Sequence, residues 1–155
     1  MSENILNNII TKKIKRIDLL KKSTSLDSLN EIIDKNSSYI NFKEKIENYI
    51  VQDKISIIGE IKKASPSEGV IINDYNPVEI AKIYYENEVT CLSVLTEEDF
   101  FLGNLIHISK IKQQFNLPIL CKDFFIDKFQ IPLAKSNGAD AILIILAGVS
   151  DDLAN

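Results

Sequence analysis

An α/β fold of the (β/α)₈-barrel type is predicted by three observations. Short apolar runs alternate with amphipathic helical stretches from Lys54 onward. The segment after the first run carries no glycine-rich dinucleotide fingerprint. Polar side chains gather at the carboxyl ends of the runs. The runs at residues 55–61, 90–95, 118–122 and 140–146 are bounded by polar, Gly or Pro residues, as in strands covered on both faces. Helical stretches lie between them at 77–88, 104–115 and 128–137. Pro77 suits a first helical turn and Gly138 a helix stop. Strand, crossover helix and parallel strand recur three times, which implies right-handed connections. An open doubly wound sheet would want G-x-G-x-x-G after its first strand, where Lys62-Lys63-Ala64-Ser65-Pro66-Ser67-Glu68-Gly69 stands instead. Glu60 and Lys62, then Thr96, then Lys122 and Asp123 occupy strand ends, where barrel enzymes collect catalytic groups.

Ahead of this alternation the texture differs. Ile5, Leu6, Ile9, Ile10, Ile14 and Ile17 recur at helical spacing among lysines over residues 5–22. Shorter helices are expected at 26–34 and 39–52. Basic and acidic residues nearly balance, so residues 1–54 read as a helical extension packed on another part of the molecule, its lysines on a solvated face. Residues 55–155 read as the first half of a barrel, cut off after its fourth strand.

Composition narrows the function classes. Hydrophobic residues at 45% and charged residues at 26% are ordinary for a globular protein. A net charge of -4 argues against a nucleic-acid partner, because no basic excess exists to neutralise phosphates. No apolar run approaches the roughly 20 residues of a membrane span, and Met1-Ser2-Glu3-Asn4 does not open a signal peptide. Cys91 and Cys121 are too few for a disulfide scaffold and lack metal-ligand spacing. A reduced, cytoplasmic setting without a membrane partner is the simplest reading.

Strand parity sharpens the chemistry. Glu60 and Lys62 share one face of the first strand; Leu120, Lys122 and Phe124 share one face around the end of the third. If both sets enter the barrel mouth, two lysines and a carboxylate meet in a partly apolar pocket. Such a group can work as a general acid toward a carbonyl oxygen or a leaving hydroxyl. A buried Glu–Lys salt bridge without chemistry explains the spacing equally well.

Four motifs then point to a family. Ile58-Gly59-Glu60-Ile61-Lys62-Lys63-Ala64-Ser65-Pro66-Ser67-Glu68-Gly69-Val70-Ile71 resembles the signature of indole-3-glycerol-phosphate synthase. Ser93 through Gly103, Pro118-Ile119-Leu120-Cys121-Lys122-Asp123-Phe124, and the run from Gly138 through Leu143 and Ile145 resemble its later segments, in the family's order and spacing. The resemblance implies ring closure, decarboxylation and dehydration of 1-(2-carboxyphenylamino)-1-deoxyribulose 5-phosphate, a phosphorylated small molecule, with no metal or organic cofactor. It makes Lys122 the general acid, Lys62 the partner of the anthranilate carboxylate, and Glu60 the carboxylate that orients both lysines. Ser65, in the mobile loop after the first strand, and Ser93 would help hold substrate. Phe101, Phe124, Leu143 and Ile145 would wall the aromatic ring. The Leu120-Cys121-Lys122-Asp123 wording is similar to the enteric-type bifunctional form, which implies a phosphoribosylanthranilate isomerase domain as a fused or separate partner.

The sequence also departs from that pattern. Ala64 stands where some relatives carry lysine, and Glu68 where a basic residue is frequent. The family's second carboxylate, its asparagine and its phosphate loops would lie beyond Asn155, so the 155 residues alone are expected to be inactive. Two alternatives remain open: a non-catalytic half-barrel that acts through self-association, and another phosphate-binding barrel of amino-acid biosynthesis. Bland readings go to the remaining candidates: a surface role for His107, a packed thiol for Cys121, and helix-to-barrel packing for Tyr84, Tyr85 and Phe115.

Overall fold

The computed structural model describes residues 3–35 and 39–155; Met1, Ser2 and residues 36–38 of the expected helical extension lie outside the described residues. Helical periodicity shapes the N-terminal part. Helix α1 (Glu3–Ser23) buries a stripe made by Ile9, Lys13 and Ile17, four residues apart on one face. Lys13 therefore corrects the expectation that these lysines are solvated: it is only 4% exposed, because it has carboxylate partners inside. Helix α2 (Leu26–Lys35) turns Leu29 toward Ile17 of α1 and Phe129. Helix α3 (Phe42–Val51) starts where the Asn41 side chain accepts from the Glu44 amide at 3.1 Å.

The alternating part begins with β1 (Ile58–Ile61), a short antiparallel hairpin of β2 (Ala64–Ser65) and β3 (Gly69–Val70), and α4 (Pro77–Glu86). It continues through β4 (Cys91–Leu95), α5 (Ile106–Lys112), β5 (Ile119–Lys122), α6 (Gln130–Ser136) and β6 (Ala141–Ile142). A 3₁₀ turn (Leu146–Gly148) and α7 (Asp151–Ala154) follow. Strands β1, β4, β5 and β6 form one parallel sheet in that order. Each strand thus lies beside the next one joined through a helix, with no reversal of order. That is the progression of a barrel and not of a doubly wound sheet. Among the described residues, no helix is long and apolar enough to cross a membrane.

Several ends differ from the sequence expectation. The first strand starts at Ile58, because the Ile57 amide donates to the Thr90 hydroxyl (3.0 Å) instead of continuing a ladder. The fourth strand pairs over only two residues, Ala141 with Leu120 and Ile142 with Cys121. Beyond them β5 ends at Lys122, so Leu143 through Ile145 run on without a ladder. The hairpin after β1 leaves no periodic signal in the sequence, because its four paired residues are too few to show one. Gly138 does stop its helix, in the left-handed region at φ +94°.

The main core lies on one side of the sheet. Ile61, Leu92, Val94, Ile119 and Cys121 alternate along the strands and pack against Ala81 of α4, Ile108 and Ile111 of α5, and Ala134 of α6. Each of the larger side chains contributes roughly 1.5–3 kcal/mol by leaving water. His107 is half-buried and not on the surface as expected. Its ring packs 5.5 Å from that of Tyr75, and burial pushes its pKa down.

Candidate active site

Period-two alternation delivers the opposite face of the sheet to a different use. Ladder register aligns Glu60 with Ser93 and Leu120, and Leu95 with Lys122, so these side chains share the face away from the helices. At the carboxyl end of that face lies an open cleft of about 80 Å³. Glu60, Lys62, Lys122 and Asp123 form its polar side, and Leu95, Phe101, Phe124, Leu143 and Ile145 its apolar side.

The Glu60 carboxylate is shared by both lysines. Lys62 Nζ lies 3.0 Å from Oε1, while Lys122 Nζ donates to Oε2. Burial pushes the Glu60 pKa up, but the hydrogen bonds and positive charges of Lys122 and Lys62 outweigh it, and the net effect is a lowered pKa. About a third of each side chain remains exposed, so a ligand entering the cleft meets two ammonium groups held by one anion. Phe101 and Phe124 stand beside them with ring centroids 6.3 Å apart, a surface on which a flat aromatic ring can pack.

Seven of the nine residues singled out from the sequence line this cleft; Ser65 and Ser93 do not. Ser65 sits in the hairpin, where its hydroxyl accepts from the Glu68 amide (3.2 Å) and contacts the Ser67 hydroxyl (3.4 Å). Ser93 is buried on the cleft-side face, one ladder step beneath Leu95. Among the described residues, no group of three or more His, Cys, Asp or Glu side chains is arranged to hold a metal ion.

Two loops carry the aromatic wall, and buried polar side chains build both. After β4, the Glu97 carboxylate, 1% exposed, accepts from the amides of Asp99 (3.1 Å), Phe100 (2.7 Å) and Phe101 (3.1 Å). Gly103 closes this loop so tightly on β4 that a Cβ there would stand 2.4 Å from the Leu95 carbonyl oxygen. After β5, Gln130 donates to the Phe124 carbonyl (2.9 Å) and accepts from the amides of Ile126 (2.8 Å) and Asp127 (3.1 Å). Asp123, between Lys122 and Phe124, accepts from the Thr96 hydroxyl at 2.8 Å and pairs with Lys13 Nζ at 2.7 Å. Glu97, Gln130 and Lys13 escaped the sequence reading. A signal for Lys13 exists: it stands between Ile9 and Ile17 on the helix stripe that ought to be apolar.

Comparison with known proteins agrees in extent and order. The family model described as "Indole-3-glycerol phosphate synthase" matches residues 6–155. A protein named indole-3-glycerol phosphate synthase from Trichodesmium erythraeum is 42% identical over 149 residues, covering 96% of this chain and 50% of its own. Those of the same name from Prochlorococcus marinus (strain MED4) and Clostridium acetobutylicum are 44% and 43% identical over 151 and 150 residues. They cover 97% and 96% of this chain, and 50% and 56% of their own. The chain thus spans about half the length of the curated relatives it matches. An alignment running through nearly the whole chain, from α1 through every strand of the parallel sheet, leaves one conclusion: the chain belongs to the indole-3-glycerol phosphate synthase family.

Proposed function

We propose that this protein serves indole-3-glycerol phosphate synthesis and supplies the acid side of the site. The observation that carries this reading is the meeting of Lys62 and Lys122 on Glu60, beside Phe101 and Phe124, at the carboxyl end of a parallel sheet. The substrate, 1-(2-carboxyphenylamino)-1-deoxyribulose 5-phosphate, presents matching groups: a carboxylate for an ammonium, an aromatic ring for the phenylalanines, and a ketone for an acid.

In this reading Lys62 holds the anthranilate carboxylate and Lys122 donates to the ketone oxygen. Protonation there withdraws electrons from the carbonyl carbon, and the ring carbon bearing the carboxylate attacks it. The new carbon–carbon bond closes the five-membered ring and the carbonyl becomes a hydroxyl. Loss of carbon dioxide returns the electron pair to the ring. The hydroxyl then leaves as water while the neighbouring ring CH₂ gives up a proton, and the electron pair of that C–H bond forms the carbon–carbon double bond of the indole. Glu60 stays anionic throughout, consistent with its lowered pKa, and keeps both ammonium groups aimed into the cleft. The mechanism is acid–base chemistry in an apolar setting, and the cytoplasm is its natural place.

The test is direct. Protein expressed from its complete coding sequence should convert the substrate into a fluorescent indole product with release of carbon dioxide. Folded protein that leaves the substrate unchanged would refute the proposal.

A further inference from the structure

We propose that Lys13 of α1 is a positioning residue for this site: it grips Asp123 from behind the sheet and so fixes the turn that carries Lys122 and Phe124. This rests on the reaction reading above for its kinetic consequence, but its geometry stands apart from it.

A lysine at 4% exposure in the middle of a helix stripe is costly to desolvate unless it is paired. Its principal partner is Asp123, 2.7 Å away and 8% exposed. Asp123 is itself fully engaged, since its other oxygen takes the Thr96 hydroxyl (2.8 Å) and the first also accepts from the Phe124 amide (2.7 Å). The flanking residues work on the cleft. Lys122 meets Glu60, and Phe124 faces Phe101. Asp123 borders both the cleft and a second, small cavity of about 30 Å³ beneath α1, which Lys13 also lines.

The same stretch of α1 reaches the other aromatic-bearing loop. Glu98 lies 3.7 Å from Lys13 Nζ and 3.1 Å from Arg16 Nε, and Arg16 also pairs with Asp99 at 3.3 Å. Burial raises the Glu98 pKa, with Lys13 and Arg16 opposing the rise. One ammonium group therefore joins the loop that presents Phe101 to the end of β5 and the turn after it, which carry Lys122 and Phe124. Removing it lets the Asp123 turn relax and loosens the Lys122–Glu60 contact. The substrate never touches Lys13, so the effect is on placement alone.

The experiment compares Lys13→Met, Asp123→Asn and the exposed control Lys43→Met with the parent, all expressed from the complete coding sequence. Two quantities are read well below each variant's unfolding temperature: kcat/KM, and the rate at which Lys122 is acetylated, resolved by mass spectrometry. Lys13→Met and Asp123→Asn should each lower kcat/KM about tenfold, the scale of a small misplacement of a reacting group. Both should acetylate at Lys122 several-fold faster, while Lys43→Met matches the parent in both readouts. Should Lys13→Met fail to fold, Asp123→Asn, which keeps the side chain's shape, decides the matter. A folded variant with parental Lys122 acetylation, or with parental kcat/KM in an active enzyme, overturns the proposal; such a Lys13 would be a brace only. If the parent makes no indole product, the reaction reading fails, and the acetylation rates still decide whether Lys13 positions Lys122.

Discussion

The two faces of the parallel sheet are built from the same strands and do opposite work. Toward the helices, Ile61, Leu92, Val94, Ile119 and Cys121 are at most 1% exposed and form an apolar core. Toward the cleft, Glu60 and Lys122 stand on the same strands as Ile61 and Cys121, each about a third exposed. One step along a strand separates a core residue from a candidate catalytic one. Stability can therefore be concentrated on one face while the other tolerates charges that a core would reject. The Cys121 thiol shows the contrast within one dipeptide. Burial pushes its pKa up to about 12, while the next side chain, Lys122, reaches the cleft.

The comparison predicts effects that separate by face. The largest should come from the helix side. Ile119→Ala empties a fully buried position and should cost roughly 2–5 kcal/mol in urea unfolding, while turnover per folded molecule is retained. A loss of turnover in the folded fraction would mean that the faces are not independent. Next, Lys122→Ala should lower turnover at least ~10²-fold with little change in unfolding midpoint. Near-normal turnover would remove Lys122 from the role of acid.

A smaller effect is expected for Lys62→Ala. Loss of a carboxylate contact should raise KM and lower kcat/KM about tenfold. An unchanged KM with normal turnover would count against that contact. The mildest test uses pH. The Glu60 carboxyl titrates lower in the folded protein than in the unfolded chain, so its ion pairs stabilise above the ordinary glutamate range near 4.5. That stabilisation is lost as pH falls through the lower, folded value. The difference in urea midpoint between the parent and Glu60→Gln should be steady at neutral pH and shrink below about pH 4.5. A difference independent of pH would show that packing, not charge, accounts for the effect of Glu60.

Both faces were legible in the sequence to different depths. Residues such as Leu92, Val94 and Ile119 announce themselves because a strand covered on both faces is an apolar run with sharp ends. Glu60, Lys62 and Lys122 stand out because they interrupt or terminate such runs at one end. The polar supports stayed hidden. Glu97 lies in a string of acidic residues that looks solvated, and only the loop's fold turns three amides toward it. Gln130 reads as an ordinary helix residue, yet it ties the loop before its own helix.

By itself the sequence determined the order of the parallel strands and the helices between them, the parallel α/β class and the side of each strand on which a residue falls. All of these follow from periods of two and 3.6 within short windows of chain. Only the tertiary structure decided that Lys62 and Lys122, sixty residues apart, share one carboxylate, and that Lys13 of the first helix closes on Asp123. Those contacts depend on how the strands stack side by side and how α1 lies against their ends. A charged side chain is stable there only where its partner is already in place, and no local window of sequence contains both.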